Sequence, residues 1–105
     1  MICSTTNVIP GKEIEKIVGV VTGNVVQAKH IGRDIMAGFK SIIGGEIRGY
    51  TEMLTDARNT AVKRLIESAQ QKGAHAIVGI HFTTSSIMDG SSELMVFGTA
   101  VKLKA

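Results

Sequence analysis

Residues 46–72, EIRGYTEMLTDARNTAVKRLIESAQQK, carry the clearest periodic pattern in the 105-residue chain. Apolar side chains recur there at intervals of three and four, with small residues at Ala57 and Ala61 in the middle of the stripe. Charged residues fill much of the opposite side, and Gly73 is a suitable residue to end a helix. The pattern predicts a long amphipathic helix that lies close to a sheet. The stripe consists of Ile47, Tyr50, Leu54, Ala57, Ala61, Leu65 and Ala69.

A glycine pair and an acid, Gly44-Gly45-Glu46, come directly before this helix and invite comparison with a catalytic or phosphate-binding loop. Ile47 follows the acid and belongs to the apolar stripe, and no Walker or Rossmann glycine pattern stands nearby. The glycines allow the chain to turn sharply, and Glu46 suits the first turn of a helix, near the positive end of its dipole. We therefore interpret residues 44–46 as the start of the helix.

Residues 14–30 are rich in valine and isoleucine and predict a strand. A straight strand of this length would span about 55 Å, which is too long for so small a domain. The segment must therefore bend, and Gly19 and Gly23 are the candidate bulges. A hairpin turn at Gly23-Asn24 is the alternative, and we favour the single bent strand.

Two later segments, residues 75–86 and 93–103, are typical of strands and flank an Asp-Gly turn, which predicts an antiparallel hairpin. Residues 31–43 place apolar residues three and four apart and predict a short helix. Together the elements predict one α+β domain over residues 1–105. Its long helix packs on a three-stranded antiparallel sheet, with the short extra helix near 31–43.

The predicted strands are apolar on both faces over residues 17–26 and 93–101. One long helix can cover only one face of the sheet, and a face left in water should alternate polar residues. Another surface should therefore cover the second face, with the short helix covering part of it and a second subunit the rest. We expect a closed homo-oligomer. The residues that we would mutate first at its contacts are Val21, Val25, Met95 and Phe97.

Composition excludes several classes of protein. The net charge is +3, but the basic residues are interleaved with acids. One tyrosine, three phenylalanines and no tryptophan are too few for a base-stacking platform, so we expect no nucleic-acid partner. No apolar run is long enough to span a membrane, and the N-terminus lacks the regions of a signal peptide. A single cysteine fits a reducing compartment, so we expect a cytoplasmic protein.

Several ordered motifs resemble the YbjQ-type family of small prokaryotic proteins, and the likeness runs from about Pro10 to Val101. The motifs are Gly32-Arg33-Asp34-Ile35-x-Ala37-Gly38, Gly44-Gly45-Glu46-Ile47-x-x-Tyr50-Thr51-Glu52-Met53-Leu54, Ala57-Arg58, Gly73-Ala74-x-Ala76-Ile77-Val78-Gly79, Thr84-Ser85 and Gly98-Thr99-Ala100-Val101. The resemblance implies a dodecin-like fold with a long helix on a three-stranded antiparallel sheet. It also implies assembly into pentamers and heavy-metal binding, with an unsettled biochemical role.

Cys3 is the natural soft-metal ligand, because a thiolate suits copper, zinc and similar ions. One thiolate does not make a site, so copies around a ring would have to converge; a small apolar residue in a short strand is the alternative. His75, inside a matched motif, is the second candidate. His81 lies roughly 20 Å further along the same predicted strand, so these two histidines cannot share an ion within one subunit. A polar surface or interface role is favoured for each histidine, His30 included.

The candidate cofactor is therefore a soft divalent or monovalent heavy metal, with Cys3 and His75 as candidate ligands and further ligands from other subunits. The alternative is a small-ligand-binding or purely structural homo-oligomer without metal. An enzyme ranks third, because no histidine or lysine base is tied by sequence to the serines and threonines at 83–86. We assign no catalytic residues.

Overall fold

The computed structural model describes residues 1–28, 42–43, 46–88 and 90–105. In this part of the chain the elements, in order, are β1 (Ile2–Cys3), β2 (Ile14–Ala28), β3 (Ile42–Ile43), β4 (Glu46–Ile47), α1 (Arg48–Gln71), β5 (Ala76–Met88) and β6 (Ser91–Leu103). The α+β composition agrees with the prediction, and so does the antiparallel hairpin formed by β5 and β6.

The main sheet has four strands in the order β1-β5-β6-β2. β6 pairs antiparallel with both β2 and β5, whereas β1 pairs parallel with β5. The predicted three-stranded, purely antiparallel sheet of a dodecin-like fold is therefore wrong. The physical reason is that Ile2 and Cys3 lie beside Ala76 and Ile77, where they bond backbone groups that a free β5 edge would leave unpaired.

β2 is one strand of 15 residues, so the bent-strand interpretation is confirmed over the described residues and the hairpin is not formed. Its register with β6 shifts between Ile17 and Gly19, and Gly19 has a φ of 153°. This irregularity is the bulge predicted at Gly19. Gly23 pairs regularly with Val96, so a bulge at Gly23 is wrong.

α1 packs against the sheet chiefly over β2, through the apolar stripe that the sequence predicts. Ala57, Ala61, Leu65 and Ala69 of this stripe are buried, whereas Leu54, which the sequence placed in the same stripe, is 40% exposed. The helix comes very close to the strand at Gly23, where a Cβ atom would lie 2.0 Å from the carbonyl oxygen of Ala61. The absence of a side chain at Gly23, together with the small residues of the helix, allows the two backbones to come this close.

The start of α1 differs from the prediction. The helix begins at Arg48, because Glu46 and Ile47 form β4 and pair antiparallel with β3. Glu46 therefore lies before the helix and not in its first turn. The strand at Ile42–Ile43 also contradicts the last two residues of the short helix predicted near 31–43, and residues 31–41 of that helix lie outside the described residues.

The C-terminal end of α1 is capped at Gly73, as the sequence predicts. Gly73 has a φ of 74°, and its N–H donates to the Gln70 carbonyl at 3.0 Å. The Ala74 N–H donates to the Ala69 carbonyl at 3.1 Å, which completes a Schellman motif. Among the described residues, no helix is sufficiently long and apolar to cross a membrane.

Apolar clusters lie on both faces of the sheet, because successive strand residues point to opposite sides. The cluster beneath α1 contains Val21, Ala61, Leu65, Ala69, Ile77, Ile80, Val96 and Ala100. The cluster on the other face contains Ala76, Val78 and Val101, with Ile9, Ile14 and Leu103 packed against it. At this end of the sheet, the chain's own N-terminal segment therefore covers the second face. Val21, which we expected at a subunit contact, is only 1% exposed beneath the helix.

Candidate functional site

Cys3 lies in β1, at an outer edge of the sheet, as an exposed free thiol. The parallel register places it opposite Ile77. His75, the other candidate ligand, lies two residues before Ile77 in the sequence and directly precedes β5. The pairing of β1 with β5 thus brings these two residues to neighbouring positions, although they are far apart in the sequence.

The environment of Cys3 affects its protonation. Partial burial raises the pKa of the Cys3 thiol, and the positive charge of the nearby amino terminus lowers it by a smaller amount. The thiol is therefore protonated at neutral pH, and a soft metal ion must displace that proton before it can bind the thiolate.

The imidazole of His75 already has a partner. The Leu103 N–H donates to His75 Nδ1 at 2.9 Å, and the backbone N–H of His75 donates to the Val101 carbonyl at 2.9 Å. When Nδ1 accepts a hydrogen bond, the neutral imidazole carries its proton on Nε2. Neither ring nitrogen then offers a free lone pair, so His75 in this conformation does not fit a metal ligand.

The remaining histidines do not add to this pair. His81 lies on β5 opposite Phe97 of β6, and their ring centroids are 5.9 Å apart with an interplanar angle of 42°. This contact fits the surface role that the sequence analysis favours for His81. His30 lies outside the described residues.

A heavy-metal ion needs several donor side chains close together. In the described part of the chain, no group of three or more His, Cys, Asp or Glu side chains could hold a metal ion. A structural zinc site has four ligands. An exposed thiol, together with an imidazole whose acceptor nitrogen is already hydrogen-bonded, does not supply them. The described residues of one chain alone therefore cannot hold such an ion. A site at Cys3 would need further ligands from other chains.

A shallow cleft beside the N-terminal turn was not predicted from the sequence. It has a volume of about 360 Å³ and is lined by Val8, Ile9, Lys12, Glu13 and Ile14. One wall is held to the end of β6, because the Lys104 Nζ lies 3.0 Å from Glu13 Oε2 and the Lys104 N–H donates to the Glu13 carbonyl at 2.9 Å. The sequence signal for this feature is the Pro10-Gly11 turn, which indicates a change of direction but not a cleft.

Nine large apolar side chains are exposed among the described residues, and five of them lie on the strands β2 and β5. The β2 apolar surface comprises Ile17, Val20 and Val26, which are 68%, 71% and 58% exposed. The β5 apolar surface comprises Phe82 and Ile87, which are 47% and 49% exposed.

The two surfaces cannot cover each other within one chain, because β2 and β5 are separated by β6. The register also places Val20 of the first surface and Phe82 of the second on different faces of the sheet. Val20 neighbours Val21, which points towards α1, so Val20 points away from the helix. Phe82 pairs with Val96, which lies beneath the helix, so Phe82 shares the helix face.

Comparisons with known proteins agree with the sequence motifs. A family model described as "Putative heavy-metal-binding" matches residues 1–104. The chain is 81% identical to a UPF0145 protein of Colwellia psychrerythraea over 104 residues, which are 99% of both chains. It is 53% identical to a UPF0145 protein of Thermotoga maritima over 104 residues, which are 99% of this chain and 98% of that one.

A solved structure has a similar fold. It is the crystal structure of a protein of unknown function from Pediococcus pentosaceus, assigned to the DUF74 family. The match has a TM-score of 0.65 and 17% sequence identity and covers 99% of this chain and 98% of that one, so it bears on the fold alone. From the family model and the close relatives, the chain belongs to the YbjQ family of UPF0145 proteins.

Proposed function

We propose that the protein is a closed, head-to-tail homo-oligomer that captures soft heavy-metal ions at Cys3 thiols contributed by neighbouring copies. The observation that carries the metal proposal is the exposed Cys3 thiol on an edge strand, without a completed ligand set among the described residues of its own chain. The family description favours a heavy metal as the ion. The resemblance to the YbjQ-type family favours five copies in this oligomer.

The assembly is supported by the two exposed apolar surfaces. A two-fold dimer would place a surface against its own copy and leave the other surface exposed. A head-to-tail contact instead places the β2 apolar surface of one copy against the β5 apolar surface of the next. Repetition of that contact closes a ring when the rotation from copy to copy adds up to a full turn. Burial of such surfaces contributes about 25 cal/mol per Å², which is a large term beside the small core of one chain.

The chemistry of the ion requires more than one thiolate. Soft metals such as copper(I) prefer thiolate ligands, and Cys3 is the only cysteine of the chain. Convergence of Cys3 from several copies would supply a set of thiolates without any other donor. A reducing cytoplasm would keep these thiols available, and we propose that compartment for the protein.

The proposal is tested by titrating copper(I) and zinc into the wild type and into Cys3→Ser, with native mass spectrometry to count ions per oligomer. We expect fewer bound copper ions than chains in the wild type and none in Cys3→Ser. His81→Asn is the matched control, and it should bind as the wild type does. Equal affinity of the wild type and Cys3→Ser would exclude Cys3, and one ion per chain would exclude a shared site.

A small-ligand role is the second candidate, and the cleft beside the N-terminal turn is the observation that favours it. Its walls combine the apolar side chains of Val8, Ile9 and Ile14 with the ammonium group of Lys12. The carboxylate of Glu13 also lines the cleft, and it is paired with Lys104. A short-chain aliphatic carboxylate would match this chemistry. Chemical-shift changes confined to the cleft, and lost in Lys12→Met, would support the role; the absence of such changes would exclude it.

A further inference from the structure

We propose that Arg64 of α1 closes the outer edge of β2 to the addition of a further strand, because its guanidinium occupies the backbone carbonyl of Asn24. A strand that paired with β2 at this point would need the same carbonyl as its hydrogen-bond acceptor. The inference goes beyond the proposed oligomer, since it concerns the backbone edge of β2 and not the β2 apolar surface. It applies to a single chain and therefore stands or fails separately from the ring and the metal site.

Among the described strands, β2 lies at one edge of the sheet, in the order β1-β5-β6-β2. It has 15 residues, and its side chains include Val20 and Val26, which are exposed. A long edge strand with exposed apolar side chains is a template on which a strand of another molecule can pair, and such pairing leads to aggregates. An edge of this kind therefore needs a feature that blocks it.

The pairing with β6 determines which backbone groups of β2 point outwards. The Lys104 N–H donates to the Glu13 carbonyl across the two strands, so even-numbered residues of β6 direct their backbone groups towards β2. Both register shifts add their extra residue to β2, so this alternation along β6 is unbroken. Met95 is odd-numbered, and its partner Asn24 therefore directs its own N–H and carbonyl away from β6. Among the described residues, no strand lies on that side.

Arg64 reaches the outward carbonyl from the helix. Its Nη1 donates to the Asn24 carbonyl oxygen at 2.6 Å. Ala61 brings α1 against β2 at this level, since its carbonyl closely approaches Gly23, the residue before Asn24. Asn24 is also held from β6, because its side-chain Nδ2 donates to Glu93 Oε2 at 3.0 Å. The backbone carbonyl of this residue is thus fixed in place for the guanidinium.

An incoming strand would have to displace the guanidinium before it could pair at Asn24. It offers a neutral N–H in place of a charged donor, and charge-assisted hydrogen bonds are roughly twice as strong as neutral ones. The displaced Arg64 would also leave a positive charge beside the new strand pair, and charged side chains at an edge oppose strand addition. Thr22 and Val26 also pair with odd-numbered residues of β6, so they direct backbone groups outwards on either side of Asn24. The Arg64 contact therefore interrupts this row of outward-facing groups.

The test applies hydrogen exchange, followed by NMR spectroscopy, and sedimentation velocity to the full-length wild type and to Arg64→Met. Methionine keeps an unbranched apolar stem and lacks the guanidinium. In the wild type, the outward-facing amide of Thr22 should exchange about 10-fold faster than that of Val21, which bonds to β6. In Arg64→Met, the amides of Thr22 and Val26 should become protected, and species larger than the wild-type assembly should sediment.

Two variants separate strand addition from other causes of association. Arg58→Met makes the same chemical change at another exposed arginine of α1, whose Nη2 donates within the helix to Thr55 Oγ1 at 3.4 Å. It should sediment and exchange as the wild type does. Thr22→Pro, added to Arg64→Met, should restore the wild-type size, because proline removes an outward N–H that an added strand would use.

Protected Thr22 and Val26 amides in the wild type would overturn the proposal, because the edge would already be paired. So would an Arg64→Met protein that keeps the wild-type size and exchange, or larger species that the added Thr22→Pro leaves unchanged. A monomeric wild type would contradict the proposed oligomer alone, because each variant is compared with the wild type under the same conditions.

Discussion

The substitution Gly23→Ala tests the close backbone contact between α1 and β2. A Cβ at this position would lie 2.0 Å from the Ala61 carbonyl oxygen and 2.6 Å from the Leu65 nitrogen. Ordinary van der Waals contact begins at 3.4 Å, so α1 would have to retreat from β2 by about 1.4 Å at this point. Both nearest atoms belong to the helix backbone, and a change of side-chain rotamer therefore cannot relieve the clash.

The expected loss in the free energy of unfolding depends on which atoms must move. Overpacking a core typically costs about 1–3 kcal/mol, and a clash with backbone belongs at the upper end. A loss of about 3 kcal/mol corresponds to a fall in Tm of roughly 12–24 °C for a domain of about 100 residues. Thermal unfolding is followed by circular dichroism at one fixed protein concentration, because oligomerisation makes Tm depend on concentration.

Two control substitutions show whether the loss of stability comes from the clash at Gly23. Thr22→Ala changes the neighbouring exposed residue of the same strand, and it should cost less than about 1 kcal/mol. Ala61→Gly should not rescue Gly23→Ala, because the clash is with the Ala61 carbonyl and not with its methyl group. A Gly23→Ala variant within 1 kcal/mol of the wild type, or a rescue by Ala61→Gly, would refute the argument that close backbone packing requires Gly23.

Three further predictions concern the sheet, the thiol and the assembly. Gly98→Ala should lower the free energy of unfolding, measured by chemical denaturation, by about 1–2 kcal/mol, which is less than for Gly23→Ala. The nearest atom to its added Cβ is Cγ2 of the Ile77 side chain at 2.8 Å, and a side chain can move more easily than helix backbone. An equal loss of stability in the two variants would contradict this reasoning. Iodoacetamide should alkylate Cys3 more slowly than the cysteine of a model peptide at neutral pH, and the rate should rise with pH, because burial raises the pKa of the Cys3 thiol. A faster reaction than that of the peptide would contradict the burial argument. Val20→Asp should weaken the oligomer in sedimentation experiments yet leave the helix signal intact, whereas Val21→Asp should unfold the chain, because these residues are 71% and 1% exposed. An unchanged oligomer in Val20→Asp would remove the β2 apolar surface from the interface.

The features that the sequence predicts correctly are those that depend on neighbours in the chain. The stripe from Ala57 to Ala69 follows from helical periodicity, and the Gly73 cap follows from the backbone conformation that a helix end requires. The bulge at Gly19 likewise follows from the length of the strand. Each of these predictions needs only the local pattern and the known geometry of one element.

The features that the sequence misses depend on distant parts of the chain. β1 has two residues, too few for any periodicity, and its place in the sheet depends on the free edge of β5. Gly23 could be recognised as a glycine in a strand, but its role depends on which face of β2 the helix covers. The use of the His75 lone pair depends on Leu103, which reaches the ring only because β6 runs past the start of β5.

The same long-range pairing connects the two candidate donors. β1 carries Cys3 alongside β5, and the following segment places Ile9 and Ile14 in the cluster that also contains Leu103. His75 holds the Leu103 backbone from the β5 side. The hydrogen bond from the Leu103 N–H to His75 therefore supports a residue that packs against the segment leading from Cys3 into β2. The thiol and the imidazole do not form one metal site in the described chain, but both lie on segments that border β5, and long-range pairing alone places them there.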